Sequence, residues 1–407
     1  MTRVENLVRK RESIFIPGSC GEPRSVAESI IASEGLAITT SFVHGINRLT
    51  PGMLGPATRV SSPFMVREMS DAQREGTFRH LPLSYFGMVK WIRQGPSFDV
   101  VIAKMSPPDH HGICSLGPMA EFLPEVIKRA GRVIAVVDHN VPYNCNAPKI
   151  AIADCADIVE TDEPLVSYDA SDFDDNVRHV GQNVAAYIGD GSTLQFGLGA
   201  VPSALMGMLH DHKRIRLHSG MLSDGLIGLA DSGALDLDWP HTTTVVLGSP
   251  KLYEWFAGRN DIHLRSAGYT HAPQTLAGLE SFVAVNSALE VDLFGACNLE
   301  LLGGRAVSGV GGASDFAKAA SLSQGGLSII ALQATSSDGR SRIVSRLGVN
   351  SVTSLGRNDV DVIVTEFGAA DLRGKSVFER AEAIMAIAAP STRSALDDAW
   401  RSVSKTL

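Results

Sequence analysis

Ile14–Ile30 reads IFIPGSCGEPRSVAESI, and Leu194–Leu209 reads LQFGLGAVPSALMGML. Each is a short apolar strand, a glycine-bearing turn, a proline, and then an amphipathic helix. Pro23 and Pro202 fall where the first turn of a helix tolerates proline, because the missing N–H has no intrahelical partner there. Between and beyond these stretches, β-branched runs keep alternating with helical patterns, the rhythm of βαβ units that build mainly parallel sheets flanked by helices. The expected strands are Ile14–Ile16, Leu36–Thr40, Val100–Lys104, Val133–Val137, Leu194–Phe196, Ile215–His218, Thr243–Leu247, Ser328–Leu332 and Val360–Thr365. Helices are expected over Pro23–Ala32, Pro202–Leu209, Ser223–Ala230, Ser314–Ala320 and Ser376–Ala388. The internal echo predicts an α/β protein of two similarly built domains. The polar, Asp-rich Ser167–Asp175 is the surface segment between them, giving domains 1–175 and 176–407.

Composition narrows the function. The chain has 407 residues, 44 % of them apolar and 20 % charged, as a globular enzyme has and a disordered chain does not. The net charge of −8 is spread along the sequence with no basic stripe, which argues against nucleic acid as a partner. An anionic ligand must therefore be held by backbone N–H groups and a few local cations. The five cysteines (Cys20, Cys114, Cys145, Cys155, Cys297) form no CxxC pair and no metal-ligand spacing. Free thiols in a reducing compartment are expected, with no metal. Met1–Arg11 is charged and runs straight into Ile14–Ile16, leaving no room for the apolar region of a signal peptide. Apolar runs such as Val133–Val137 reach strand length, far short of the ~20 residues of a membrane span. The expected location is the cytoplasm, away from the membrane.

Three glycine clusters adjoin helix starts or strands: Gly197–Leu198–Gly199–Ala200 before Pro202, Gly303–Gly304, and Gly309–Val310–Gly311–Gly312 before Ser314. A glycine turn opening a helix presents unpaired N–H groups that can cradle a phosphate or an oxyanion. Tight connections are an equally good account of any one cluster. No GxxxxGK[ST] occurs and Gly197 does not open a GxGxxG, so kinase and dehydrogenase readings lose their support.

The neighbourhoods of these turns carry a resemblance. SPPDHHGICSLG (Ser106–Gly117), QFGLGAVP (Gln195–Pro202), NSALEVDLFG (Asn286–Gly295), GVGGASDFAKAA (Gly309–Ala320), SRIV (Ser341–Val344) and VTEFGAADLRGKS (Val364–Ser376) occur in this order. Together they resemble the acetyl-CoA hydrolase/CoA-transferase family, that of 4-hydroxybutyrate CoA-transferase, over essentially the whole chain. The resemblance implies a two-domain α/β enzyme that takes acyl-CoA and small carboxylic acids as substrates. It implies no permanently bound cofactor, and it implies a homo-oligomer. It places CoA chiefly against the C-terminal half, on Gln195, Gly197, Leu198, Gly199, Ala200 and Val201 and on Gly311 and Gly312. A thioester carbonyl under attack gathers negative charge on oxygen, and N–H donors already aimed at it contribute on the order of 3 kcal/mol.

One position departs from the family. Its transferases end a strand in H-T-E-M-x-S-D-G, and the glutamate forms the acyl-enzyme. Here the segment reads His218–Ser219–Gly220–Met221–Leu222–Ser223–Asp224–Gly225. Glycine has no side chain to acylate, so covalent catalysis cannot run through position 220. Ser219, Gly220, Met221 and His111 are expected to face the acyl group or the acceptor. Three routes stay open. A carboxylate from elsewhere can substitute, first Glu22, which lies in the turn after a strand where α/β folds place their sites and which equally suits a helix start. Glu75, Glu290 and Glu366 are further candidates; Glu290, inside a strand, and Glu366, at the end of one, read equally as structural partners of Arg or Lys. Alternatively the acceptor's own carboxylate attacks in the space at Gly220, or water does so with His218 or His111 as general base. The third route is a binding-only relative without chemistry. Arg48, Arg67 and Arg74 are candidates for a bidentate clamp on an acid, or solvated surface cations.

Overall fold

The structure is a computed structural model and describes residues 7–43, 45–48, 53–55, 57–169, 172–405 and 407. Residues 1–6 of the charged amino-terminal stretch and 170–171 of the expected linker lie outside the described residues. The fold is mixed α/β, with large, mainly parallel sheets flanked by helices. It divides into two compact units. One comprises Met1–Asp169, Gly220–Asp224 and Pro240–Ala272; the other comprises Ala170–Ser219, Gly225–Trp239 and Pro273–Leu407. The chain leaves the first unit after Asp169 and then returns to it twice, so neither unit is the single continuous segment expected with a boundary at residue 175.

In the first unit a seven-stranded sheet runs in the order Phe78–His80, Arg59–Ser62, Ala37–Thr40, Ser13–Ile16, Phe98–Met105, Ala130–Asp138, Asp157–Thr161. Every neighbouring pair is parallel. The two longest strands, FDVVIAKM and AGRVIAVVD, are nearly continuous apolar runs, as strands covered on both faces must be. From Ser13–Ile16 the chain adds strands in one direction to Phe78–His80, then crosses back to place Phe98–Met105 on the other side. Strand order therefore reverses beside Ser13–Ile16, and at such a switch point the loops after the two strands diverge and leave a crevice.

The helix Tyr85–Gln94, absent from the sequence expectation, starts on Ser84, whose hydroxyl accepts from Gly87 N, and buries Met88, Val89 and Ile92. These side chains join Phe15, Phe98 and Phe122 in one core, where the rings of Phe15 and Phe98 meet edge to face at 5.8 Å.

The second unit repeats the plan. Its strands are ordered Arg216–Leu222, Thr193–Phe196, Phe282–Asn286, Leu327–Ala331, Val362–Thr365, Gly368–Asp371. The last pair is antiparallel, and the other neighbouring pairs are parallel. Here order reverses beside Thr193–Phe196, the second member of the echo. Three details differ from the expected elements. The strand expected over Ile215–His218 runs on through Gly220 to Leu222, because a glycine weakens a strand without ending it. The helix expected at Pro202 begins at Ala200, with Gly199 as N-cap. Phe282–Asn286 was missed, although FVAVN is a short apolar run between serines.

Beyond that sheet, Glu290–Asp292 pairs with Cys297–Asn298 and Ile343–Val344. Asp292 is 4 % exposed, and its carboxylate accepts from Phe294 N at 3.0 Å, Ala296 N at 2.9 Å and Leu347 N at 3.3 Å, closing a turn in which Gly295 has φ +92°. Replacing Asp292 with alanine leaves those donors without an acceptor. The expected loss is about 1–3 kcal/mol, read as a lower urea midpoint at unchanged slope.

Candidate functional site

At the switch point of the second unit the sequence QFGLGAVP leaves Thr193–Phe196 and turns into the helix Ala200–Met208. Gly199 has φ +124° and ψ −177°, a conformation open to glycine alone. A Cβ built on Gly197 or on Gly199 meets nothing within 4 Å, so the turn faces open space. The first N–H groups of the helix have no intrahelical acceptor. The turn thus offers aligned donors to an oxygen that approaches from that side. Gln195, 3 % exposed, exchanges hydrogen bonds with Asn286 at 3.3 and 3.5 Å. This amide pair ties the ends of the two strands that flank the switch point, which explains why QFG and NSA occur together although 91 residues separate Gln195 from Asn286.

The second expected glycine turn opens the next crossover. Gly311 has φ +56°, and Gly312 is the N-cap of Ala313–Leu322, the helix that leads from Phe282–Asn286 towards Leu327–Ala331. Phe316 and Ala320 of that helix pack on Phe282. Both glycine turns therefore belong to the second unit and both begin helices that follow switch-point strands.

Along Arg216–Leu222, His218 is 3 % exposed and its ring meets Phe282 edge-on at 6.3 Å. That burial gives it a packing role. Ser219 is fully buried, and its hydroxyl donates to Phe196 O at 2.8 Å, stitching its strand to the end of Thr193–Phe196. Gly220 and Met221 are half-buried in the same strand. Asp224 accepts from Ser249 N at 2.9 Å and from the Ser249 hydroxyl, and so anchors the start of Pro250–Ala257.

In the first unit the turn after Ser13–Ile16 is bound closely to the segment after Ala37–Thr40. Gly18 N donates to Ser41 Oγ at 3.1 Å, and the Asn47 amide holds Ser19 N and Ser19 O, each at 2.8 Å. A Cβ on Gly18 would lie 2.2 Å from Ser41 O, so only glycine fits. Ser19 has φ +48°, a left-handed strain for a residue with a side chain. Glu22, 3 % exposed, accepts from Arg48 N at 2.8 and 3.1 Å and from Arg24 Nε at 3.1 Å. The carboxylate that sequence reading selected as a substitute nucleophile thus holds two other segments in place. Along the same sheet edge, Lys104 Nζ lies 2.7 Å from Asp138 Oδ2 and 3.8 Å from Glu163 Oε2. Burial raises the Glu163 pKa, Lys104 opposes that shift, and Asp138 adds to it. Sequence reading missed this group, since Lys104 and Asp138 each sit inside an apolar strand with no motif around them.

The remaining candidates lie elsewhere. His111 is exposed beside His110, in a surface turn closed by Asp109, which accepts from His111 N at 2.9 Å and Ile113 N at 3.0 Å. Those bonds, led by Ile113 N–H, hold the Asp109 pKa below the usual carboxylate value. Arg48, Arg67 and Arg74 are exposed, and Arg74 pairs with Asp71. Glu75 is exposed after a short helix. Glu290 accepts from Asn298 at 2.9 Å and Ser351 at 2.5 Å, and Glu366 accepts from Ala334 N at 2.8 Å.

Comparison with known proteins identifies the family. Residues 2–168 match the N-terminal domain of acetyl-CoA hydrolase/transferase, and residues 248–400 match its C-terminal domain. The chain is 30 % identical to 4-hydroxybutyrate coenzyme A transferase of Clostridium kluyveri, over 97 % of this chain and 94 % of that one. It is also 30 % identical to succinyl-CoA:cyclohexane-1-carboxylate CoA transferase of Geobacter metallireducens, over 98 % and 94 %. The crystal structure of RipA from Yersinia pestis superposes with a TM-score of 0.89 at 26 % identity, covering 98 % of this chain and 95 % of that one. With both domain matches, full-length relatives and the same fold in hand, this chain belongs to the acetyl-CoA hydrolase/transferase family.

Proposed function

We propose that this protein moves CoA from an acyl-CoA to a small carboxylic acid, and that the acceptor's carboxylate attacks the thioester directly. The observation that carries the reading is the open glycine turn at Gly197–Gly199, with donors suited to an oxyanion; the direct route follows from the resemblance, which aligns Gly220 with the family's nucleophile. Two relatives named as CoA transferases support the reaction class. Glu22 is a poor substitute nucleophile, because its oxygens already accept from Arg48 N–H and the Arg24 guanidinium.

In this route a carboxylate oxygen of the acceptor bonds to the thioester carbonyl carbon. The C–S bond breaks, the CoA thiolate leaves, and a mixed anhydride remains. The thiolate then attacks the acceptor's carbonyl carbon of that anhydride, the C–O bond breaks, and the donor acid departs as its carboxylate. No net proton moves. Each tetrahedral stage places negative charge on oxygen, and the amides around Gly199 and Ala200 are the donors for it. Gln195 and Asn286 keep that turn in position. The same reading includes a homo-oligomer, a cytoplasmic location, where thiols stay reduced, and no resident cofactor beyond the CoA substrate. No helix among the described residues is long and apolar enough to cross a membrane.

Initial-rate kinetics test the route. With acyl-CoA and acid varied together, double-reciprocal plots are expected to intersect, and hydroxylamine or borohydride should trap no modified glutamate. Parallel lines with a label on Glu22 would make Glu22 the nucleophile. Steady CoA release without an acceptor would make the protein a hydrolase, and saturable CoA binding without turnover would make it catalytically silent.

A further inference from the structure

Behind the turn at the first unit's switch point lies a buried acid that the proposed reaction does not use. Glu121 is 1 % exposed and has φ +35°. Its Oε2 accepts from the Ser41 hydroxyl and its Oε1 accepts from Tyr85 OH at 2.7 Å. Ser41 Oγ in turn accepts from Gly18 N. The Glu121 backbone is fixed as well: its N–H donates to Thr244 O at 3.3 Å and its carbonyl accepts from Ala267 N at 2.7 Å. A relay therefore runs from Gly18 N–H through Ser41 to the Glu121 carboxylate.

The donors decide which protonation state suits the relay. A carboxylate is an acceptor only, and it can receive both the Ser41 and the Tyr85 hydrogens while Ser41 Oγ stays available to Gly18 N–H. A carboxylic acid brings a proton of its own. Four hydrogens then compete inside a closed cluster, and one of the two hydroxyls must turn away from Glu121. We propose that Glu121 is a positioning residue that holds the Gly18–Glu22 turn through Ser41 in its ionised form and loosens it on taking up a proton. The inference adds the Gly18–Glu22 turn to the groups that influence the proposed reaction, and only its kinetic arm rests on that reading.

Burial raises the Glu121 pKa to about 7, although the hydrogen bonds from Ser41 and Tyr85 pull it down, so the exchange falls at neutral pH. Tyr85 lies on the helix Tyr85–Gln94, with its pKa raised by burial; His271 stacks on that ring at 4.8 Å; and Cys20 lies in the turn itself, its thiol pushed by burial up to about 12. Lys104 acts on Cys20 from the next strand. The strand His241–Val246 meets Glu121 through the Thr244 carbonyl.

The sign for stability follows from the raised pKa. Folded Glu121 keeps its proton in a range where the unfolded chain has released it, so its contribution is complete below about 4.5 and is lost as pH rises to about 7. The melting temperature should fall over that window, while kcat/KM should rise through a step near neutral pH.

Glu121→Gln puts a donor NH2 group in place of one oxygen and keeps one carbonyl acceptor, so like the protonated acid it cannot accept at both ends. It is expected to abolish the step and to hold kcat/KM at the level of the wild-type acid plateau. Infrared difference spectra between pH 5.5 and 8.5 should show a carboxylic C=O band in the wild type that the variant lacks; that signal separates Glu121 from His271 and needs no turnover. Ser41→Ala keeps the acid but removes the relay, so the infrared band should persist while the kinetic step vanishes. A wild type without the carboxylic band overturns the proposal, and so does a Gln variant that keeps the neutral step. An infrared titration without any CoA transfer would instead sink the proposed function and leave the buried acid standing.

Discussion

Lys104→Met is expected to destabilise the first unit by about 3–5 kcal/mol, the cost of leaving a buried charge without its partner. The side chains of Lys104 and Asp138 are 3 % and 0 % exposed, and their contact at 2.7 Å is an ion pair without an aligned hydrogen bond at Asp138 Oδ2. Glu163, at 3.8 Å, is too far to complete the lysine's hydrogen bonding. Imperfect geometry makes the pair itself a weak source of stability. Removing one member nevertheless leaves Asp138 facing an apolar sheet, where an unpaired carboxylate must take up a proton or draw in water. Replacing both, as Lys104→Met with Asp138→Leu, should recover most of the loss or exceed the wild type by roughly 1–4 kcal/mol. Urea unfolding checks this against Arg401→Ala, which removes an exposed pair with Asp397 and should change little. A Lys104→Met midpoint equal to the Arg401→Ala midpoint would show that the buried pair matters no more than an exposed one.

Gly199→Val is expected to lose CoA transfer by about 10²–10³-fold, the usual effect of removing one oxyanion donor. At φ +124° and ψ −177° a Cβ is strained whatever space surrounds it, so the turn must rebuild and its amides swing away. The strain adds a stability cost of about 1–3 kcal/mol. Gly207 lies near the other end of the same helix, exposed and with nothing within 4 Å of a built Cβ. Gly207→Ala should therefore stabilise by roughly 0.4–1 kcal/mol and leave CoA binding untouched. Calorimetric titration with CoA, run beside the activity assay, separates the two sites. Equal CoA affinity and rate for Gly199→Val and wild type would remove the turn from the site.

Local patterns made much of the fold legible. Val133–Val137 and Leu194–Phe196 announce buried strands by their unbroken apolar character, and the strand–glycine–proline–helix echo marks the two places where strand order reverses. Elements whose apolar residues are interleaved with polar ones, such as Asp157–Thr161 and Asp175–Ala185, escaped, because their burial comes from neighbours far away in sequence. The candidate site divides the same way. The glycines at 197, 199, 311 and 312 can be selected from sequence because each follows a strand or opens a helix, whereas Glu22, readable as a nucleophile or a helix-start carboxylate, is bonded instead by Arg48 N–H and Arg24, which only the fold brings to it.

Sequence alone determined the α/β alternation, the family motifs in their order and a glycine at position 220, all of which depend on residues close together in the chain. Tertiary structure alone decided which strands stand side by side. With that came the Gln195–Asn286 clasp, the Lys104–Asp138 pair and the relay from Gly18 through Ser41 to Glu121. The physical reason is that side-chain period and turn chemistry are local properties of the backbone. Strand order and the partners of a buried charge are chosen by the burial of whole sheets and helices, which joins residues such as Ser41 and Glu121 across 80 positions of chain.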